Sequence, residues 1–245
     1  MSDLSGKTTI VVGASRGLGH GIATAFAEAG SRVVAVSRTA APIADPAGNT
    51  VPELADAGGP TVAGSLLDRY RPEAVVLAAG ASPHMRPLQH QTWETFSVNW
   101  QTDVRIAFHW LREALLTPLR PGSRVIVVSS GAAIAGSPLS GGYAGAKATQ
   151  RFITGYAQDE AKRAGLDITF SAVLPRITPV TELGRSAARA YAARDGRSEE
   201  EYLKQMGPLL TPEIAGSAMV ELVRTEAAAV APGYLLTGTG LKKLP

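Results

Sequence analysis

The stretch Thr8-Thr9-Ile10-Val11-Val12-Gly13-Ala14-Ser15-Arg16-Gly17-Leu18-Gly19-His20-Gly21 reads as a strand, a glycine loop and a helix start in direct succession. Thr8 to Val12 is a short β-rich apolar run suited to a strand buried on both faces. Beyond the loop, Leu18, Ile22, Ala25, Phe26 and Ala29 recur at helical spacing, and Gly30 follows as a C-cap. Such a loop lets backbone approach a pyrophosphate, while the helix N-terminus offers it unpaired N–H groups and a positive dipole end. The spacing is Gly-x-x-x-Gly-x-Gly, which departs from the dinucleotide-binding Gly-x-Gly-x-x-Gly and lacks the Lys-Ser/Thr of a P-loop.

Working outward, strand-like runs begin near Thr8, Arg32, Thr50, Ala74, Arg124, Asp167 and Gly233, with helical patterns between them. This alternation predicts a doubly wound α/β Rossmann fold with a seven-stranded, mostly parallel sheet flanked by helices and its ligand at the carboxyl ends of the strands. Residues 39–49 read as a loop, Pro60 as the start of a helix running through Arg71, and Thr92 as the start of one long helix carrying Asn99. Residues 1–245 are expected to form one domain, with 179–210 as a mobile substrate lid and Gly238 to Pro245 as a short tail.

The run Val127 to Lys147 carries the chemistry. It ends a strand in Ser129-Ser130, passes through a Gly- and Ala-rich loop, and sets Tyr143 and Lys147 four residues apart, on one face of a helix. A tyrosine titrates near 10, so acid–base work near neutral pH needs a shift of about 3 units; an ammonium about 4 Å away supplies energy of that order. Ser130 is placed to bond the same substrate oxygen.

Composition narrows the classes. The 24 basic and 21 acidic residues form no basic block, which argues against nucleic acid. No cysteine is present, so disulfides, thiolate metal sites and cysteine nucleophiles are excluded. The four histidines show no metal-ligand spacing, and no metal is expected. With neither a signal peptide nor a membrane-spanning apolar run in view, a cytoplasmic protein is expected.

Together Gly13 to Gly19, Asn99, Ser130, Tyr143 and Lys147 resemble the short-chain dehydrogenase/reductase family, and the resemblance extends over essentially the whole chain. It implies catalytic roles for Asn99, Ser130, Tyr143 and Lys147. It also implies a coenzyme held by Gly13, Ser15, Arg16, Gly17, Leu18 and Gly19 at its phosphates, and by Asp56 and Ala57 at its adenine. Ala79, Gly80, Pro175 and Thr178, with Thr181 as the alternative to the last, complete the set beside Tyr143 and Lys147. Ser37 stands where a carboxylate would take a ribose hydroxyl, and Arg38 with Arg16 suits a 2′-phosphate, so NADP(H) is favoured over NAD(H). Two departures stand out: Leu77-Ala78 replaces Asn-Asn, and Arg176 replaces a glycine. The activity implied is reversible hydride transfer between a carbonyl and an alcohol, in a homodimer or homotetramer. The alternatives are a catalytically inactive NADP(H)-binding regulatory or scaffold protein and, further off, an oligomerisation module.

Overall fold

The computed structural model describes residues 4–40, 42–45 and 47–245. Ala41 and Pro46, in the loop expected at 39–49, lie outside the described residues. Eight strands form one sheet: β1 (Thr8–Val12), β2 (Arg32–Ser37), β3 (Thr50–Leu54), β4 (Ala74–Leu77), β5 (Ser123–Val128), β6 (Ile168–Pro175), β7 (Gly233–Thr237) and β8 (Gly240–Lys243). Their order is β3-β2-β1-β4-β5-β6-β7-β8, so the winding direction reverses between β1 and β4. Seven run parallel, as the sequence predicts. The eighth is a correction: the expected tail folds back at Gly240 (φ +98) and pairs antiparallel with β7, Leu236 opposite Leu241.

The central strands are buried on both faces, and their period of two divides the core. Ile10, Val12, Val75, Leu77, Val125 and Val127 point to one side; Val11, Val76, Ile126 and Val128 point to the other. The first side is covered by α2 (Val62–Tyr70), α4 (Arg105–Leu116) and α6 (Gly141–Arg163), through Leu67, Trp110 and Ala157. The second is covered by α1 (Gly17–Glu28) and α9 (Pro212–Arg224), through Ile22, Phe26 and Met219. These last two helices touch backbone to backbone, since a Cβ on Gly216 would lie 2.5 Å from Gly21 O.

Helix boundaries adjust the expectation. α2 begins at Val62 rather than Pro60, and it stops at Arg71, whose φ of +42 leaves the helical region. The long helix expected from Thr92 is two helices, α3 (Trp93–Asn99) and α4, joined by a π-helical segment over Trp100–Val104. Thr92 and Thr95 form a capping box at its start. The π segment adds a residue to the turn and rotates the remainder of the helix, so Asn99 and Asp103 both point inward while Trp93, Trp100 and Phe108 are exposed. The segment expected as a lid contains α7 (Glu182–Arg194) and α8 (Glu199–Gln205), capped by Thr181 and Ser198. The remaining helix, α5 (Ala132–Ala135), is one turn after β5.

Candidate active site

At the carboxyl ends of β1, β2, β5 and β6 lies a cavity of about 1310 Å³, beside the point where the winding reverses. Every residue expected at the coenzyme lines it: Gly13 and Ser15 to Gly19, Ser37 and Arg38, Asp56 and Ala57, Ala79 and Gly80, Pro175 and Thr178. Ser130, Tyr143 and Lys147 line it as well. Asn99 does not; it is fully buried behind the wall.

The glycine loop fits a dinucleotide on its own geometry. Gly13 has φ +90, and a Cβ there would lie 2.6 Å from Ala79 N; one on Gly19 would lie 2.1 Å from Gly13 O. Only glycines allow the loop to fold this tightly against the turn after β4. α1 then starts at Gly17 with neither a side-chain cap nor an acidic residue in its first turn. Its leading N–H groups therefore face the cavity without a capping side chain among the described residues, an arrangement that suits a phosphate. Arg16, just before α1, pairs with Glu182 at the start of α7 at 3.1 Å, with both side chains exposed.

Tyr143 is half-buried near the start of α6, and the Lys147 ammonium lies 5.5 Å from its ring centroid. Lys147 is held from three sides. Its Nζ donates to Val128 O at 3.3 Å and to Gln150 Oε1 at 3.0 Å, and lies 3.1 Å from Asp103 Oδ2 in an ion pair not aligned as a hydrogen bond. Burial works against its charge, yet the carboxylate of Asp103 and the neighbouring Tyr143 outweigh it and hold the amine above the ordinary lysine range. Ser130 Oγ accepts from Ala132 N at 3.2 Å, while Ser129 Oγ donates to Lys147 O at 2.7 Å and fixes α6 against β5. Asn99 Nδ2 donates to Ala81 O at 2.7 Å and to Asp103 Oδ1 at 3.3 Å. Its contact with the lysine thus runs through Asp103.

Both departures have visible outcomes. Leu77 is core and Ala78 lies against Gly13 and Gly19, so the turn after β4 is held by close packing and by Ala78 N bonding Val12 O at 2.9 Å. Arg176 is exposed and lacks a positive φ, because Arg71 alone among the described non-glycine residues has one. The chain instead turns through Thr178, whose carbonyl accepts from Thr181 Oγ1 at 2.8 Å and touches Gly184.

Sequence reasoning missed Asp103 and Gln150 beside Lys147; Met85, from the loop after β4, and Tyr191, Tyr202 and Met206, from the segment expected as a lid, line the cavity. Asp103 had a signal: an acidic residue four places after Asn99 inside an apolar helical pattern. The tyrosines come from α7 and α8, where they stack at 6.4 Å and Tyr191 bonds Ser137.

Residues 13–241 match the family described as enoyl-(acyl carrier protein) reductase. The chain belongs to the short-chain dehydrogenase/reductase family. Among its curated members, the hydroxynaphthalene reductase-like protein Arp2 of Metarhizium majus is 30% identical over 189 residues, covering 70% of this chain and 68% of that protein. Versicolorin reductase stcU of Emericella nidulans is 29% identical over 223 residues, covering 85% and 83%. The fold is shared with a short-chain dehydrogenase from Mycobacterium avium, with TM-score 0.79, 21% identity, and 100% of this chain and 86% of that one covered. A short-chain dehydrogenase from Burkholderia cenocepacia in complex with NADP gives TM-score 0.73 at 22% identity, covering 96% and 89%.

Proposed function

We propose that this short-chain dehydrogenase/reductase is an NADP(H)-dependent reductase of a ketone or aldehyde, reversible as an alcohol dehydrogenase. The observation that carries the proposal is that Ser130, Tyr143 and Lys147 share one cavity with the glycine loop. When bound, the nicotinamide dinucleotide supplies the hydride that reaches the carbonyl carbon. Tyr143 gives its proton to the carbonyl oxygen, Ser130 polarises that oxygen, and Lys147 stabilises the tyrosinate that remains. Asn99 acts behind them, through Asp103. Arg16 and Arg38, at the mouth beside Ser37, favour the 2′-phosphate of NADP.

The substrate end is apolar and aromatic, walled by Met85, Ile134, Leu183, Met206, Tyr191 and Tyr202. This lining, with relatives named for hydroxynaphthalene and versicolorin reduction, supports a ring-bearing ketone. α7 and α8 form the lid over it within the one domain. No helix among the described residues is long and apolar enough to cross a membrane, and we assign the enzyme to the cytoplasm. Trp100, Phe108, Phe152 and Tyr156 expose aromatic surface on the π segment, α4 and α6, which supports a homodimer or homotetramer joined there.

The test is titration of the purified protein with NADPH and NADH by nicotinamide fluorescence, in wild type and Arg38→Ala. Loss of one charge-assisted contact, about 1.5–3 kcal/mol, weakens NADPH about 10- to 100-fold and leaves NADH unchanged. A carbonyl panel with Tyr143→Phe as control then tests turnover. If neither nucleotide binds, the enzyme reading fails.

A further inference from the structure

Asp103 is unaccounted for by the proton transfer from Tyr143, and it is a costly residue to keep. Its side chain is fully buried, and a carboxylate taken out of water is unfavourable unless paired and hydrogen-bonded. The fold supplies those partners from three directions. Oδ1 accepts from Ala81 N at 2.8 Å and from Asn99 Nδ2 at 3.3 Å, while Oδ2 lies 3.1 Å from the Lys147 ammonium. Gln150 joins the two residues a second time, donating to Asp103 O at 2.9 Å and accepting from Lys147. Space for the carboxylate is left by Gly80, where a Cβ would lie 2.7 Å from Oδ2. The turn after β4, the π segment and α6 therefore meet at one carboxylate.

The ammonium donates to Val128 O and Gln150 Oε1 beside its contact with the Asp103 carboxylate. We propose that Asp103 is the positioning counter-ion of Lys147: it keeps the ammonium charged and fixed beside Tyr143, and so sets the alkaline limit of proton transfer. This rests on the reading of Tyr143 and Lys147 as the proton-transfer pair. The other titratable groups on the elements packed around them are Glu94 of α3, Arg105, His109, Arg112 and Glu113 of α4, Arg124 of β5, and Arg151, Tyr156, Asp159, Glu160, Lys162 and Arg163 of α6. None of these pairs or hydrogen-bonds with the trio among the described residues, and the buried Arg124 donates to Gly122 O and Thr225 O. Arg176, Tyr191 and Tyr202 line the same cavity, and Tyr191 is committed to Ser137. Asp103 is thus the carboxylate that faces the lysine.

Asp103→Asn keeps the shape and an acceptor for Ala81 N while removing the charge. Burial then acts on Lys147 with little to oppose it, so the amine gives up its proton at lower pH. The alkaline limb of the kcat profile for carbonyl reduction is expected to move down by about one pH unit or more, with KM for the carbonyl little changed. A second readout needs neither cofactor nor substrate: melting temperature against pH. In wild type the folded state binds the lysine proton more tightly than the unfolded chain does, and in the variant more weakly. The deficit of the variant is therefore full near about pH 7, begins to close as pH rises through the variant's lowered lysine value, and is gone only above the ordinary lysine range, about 10, once wild type also gives up the proton. An aspartate that serves only to bond Ala81 N gives the same deficit at every pH and leaves the kinetic limb in place; that result overturns the proposal. If Asp103→Asn does not fold, Gly80→Ala pushes the carboxylate off the cation and is expected to give the same closing deficit, and a constant one overturns the proposal equally. A closing deficit in a protein that reduces no carbonyl upholds the ion pair and counts against the enzymatic reading alone.

Discussion

Two glycines of α6 offer a comparison in which the same chemical change has opposite outcomes. A Cβ on Gly142 would lie 1.9 Å from Phe96 O and 2.8 Å from Phe96 C, both backbone atoms of α3. Ordinary contact begins at 3.4 Å, so α6 and α3 would have to part by about 1.5 Å. Overpacking costs about 3 kcal/mol at the upper end of its usual range, against about 1 kcal/mol gained in helix propensity. The net loss of about 2 kcal/mol lowers the melting temperature by roughly 4–8 °C in a chain of this size. Gly155, in the same helix, has nothing within 4 Å of its added Cβ. There the propensity gain of about 1 kcal/mol stands alone, and melting rises by roughly 2–4 °C. Tyr143 follows Gly142 directly, and a displacement of about 1 Å at a reacting group costs on the order of 100-fold in rate. Gly142→Ala therefore loses activity beyond its loss of stability, whereas Gly155→Ala keeps it. Scanning calorimetry and the carbonyl assay on both variants decide the matter. If Gly142→Ala melts no lower than Gly155→Ala, the close crossing of α3 and α6 is not what positions the tyrosine.

Thr211 caps α9 by accepting from Ile214 N at 3.3 Å, ahead of Pro212 at the first turn. Thr211→Ala is expected to cost about 1 kcal/mol, and Thr211→Ser to recover most of it in the same melts. At the acid end, the backbone N–H and then the hydroxyl of Ser198 hold Glu201 below its ordinary value of 4.5. Its contribution is therefore present above that value and is lost as pH falls through the folded one. Melting of Glu201→Gln should trail wild type at neutral pH and meet it in acid; a gap that persists in acid would show that the capping box is not the cause.

The parallel strands were most legible where a short β-branched run stands out, as in Thr8–Val12, Arg32–Ser37 and Ser123–Val128. Thr8, Arg32, Thr50, Ala74 and Gly233 start strands as expected, and Ser123 and Ile168 fall one residue from it. The eighth was not legible, since Gly-Leu-Lys-Lys carries little apolar signal and pairs through the turn that precedes it. Nor was the π segment, because an added residue shifts the helical phase without leaving a breaker in the sequence. That shift also turned part of the apolar pattern, Trp93, Trp100 and Phe108, to the outside and put Asn99 and Asp103 within. The cavity residues given by motif all arrived at one place. Asp103 and Gln150 belong to no motif, and their positions depend on packing among three elements that are distant in sequence.

The sheet ends in two open edges, and each is a poor template for another strand. β3 carries Pro52, which has no N–H to offer, and an exposed Leu54 beside Glu53. β8 is four residues long and ends in Lys242 and Lys243, both exposed. Charge, proline and brevity are the devices that stop one sheet from growing onto the next. A chain so protected does not grow edge to edge through its sheet, which leaves the helix faces as the surfaces open to any self-association.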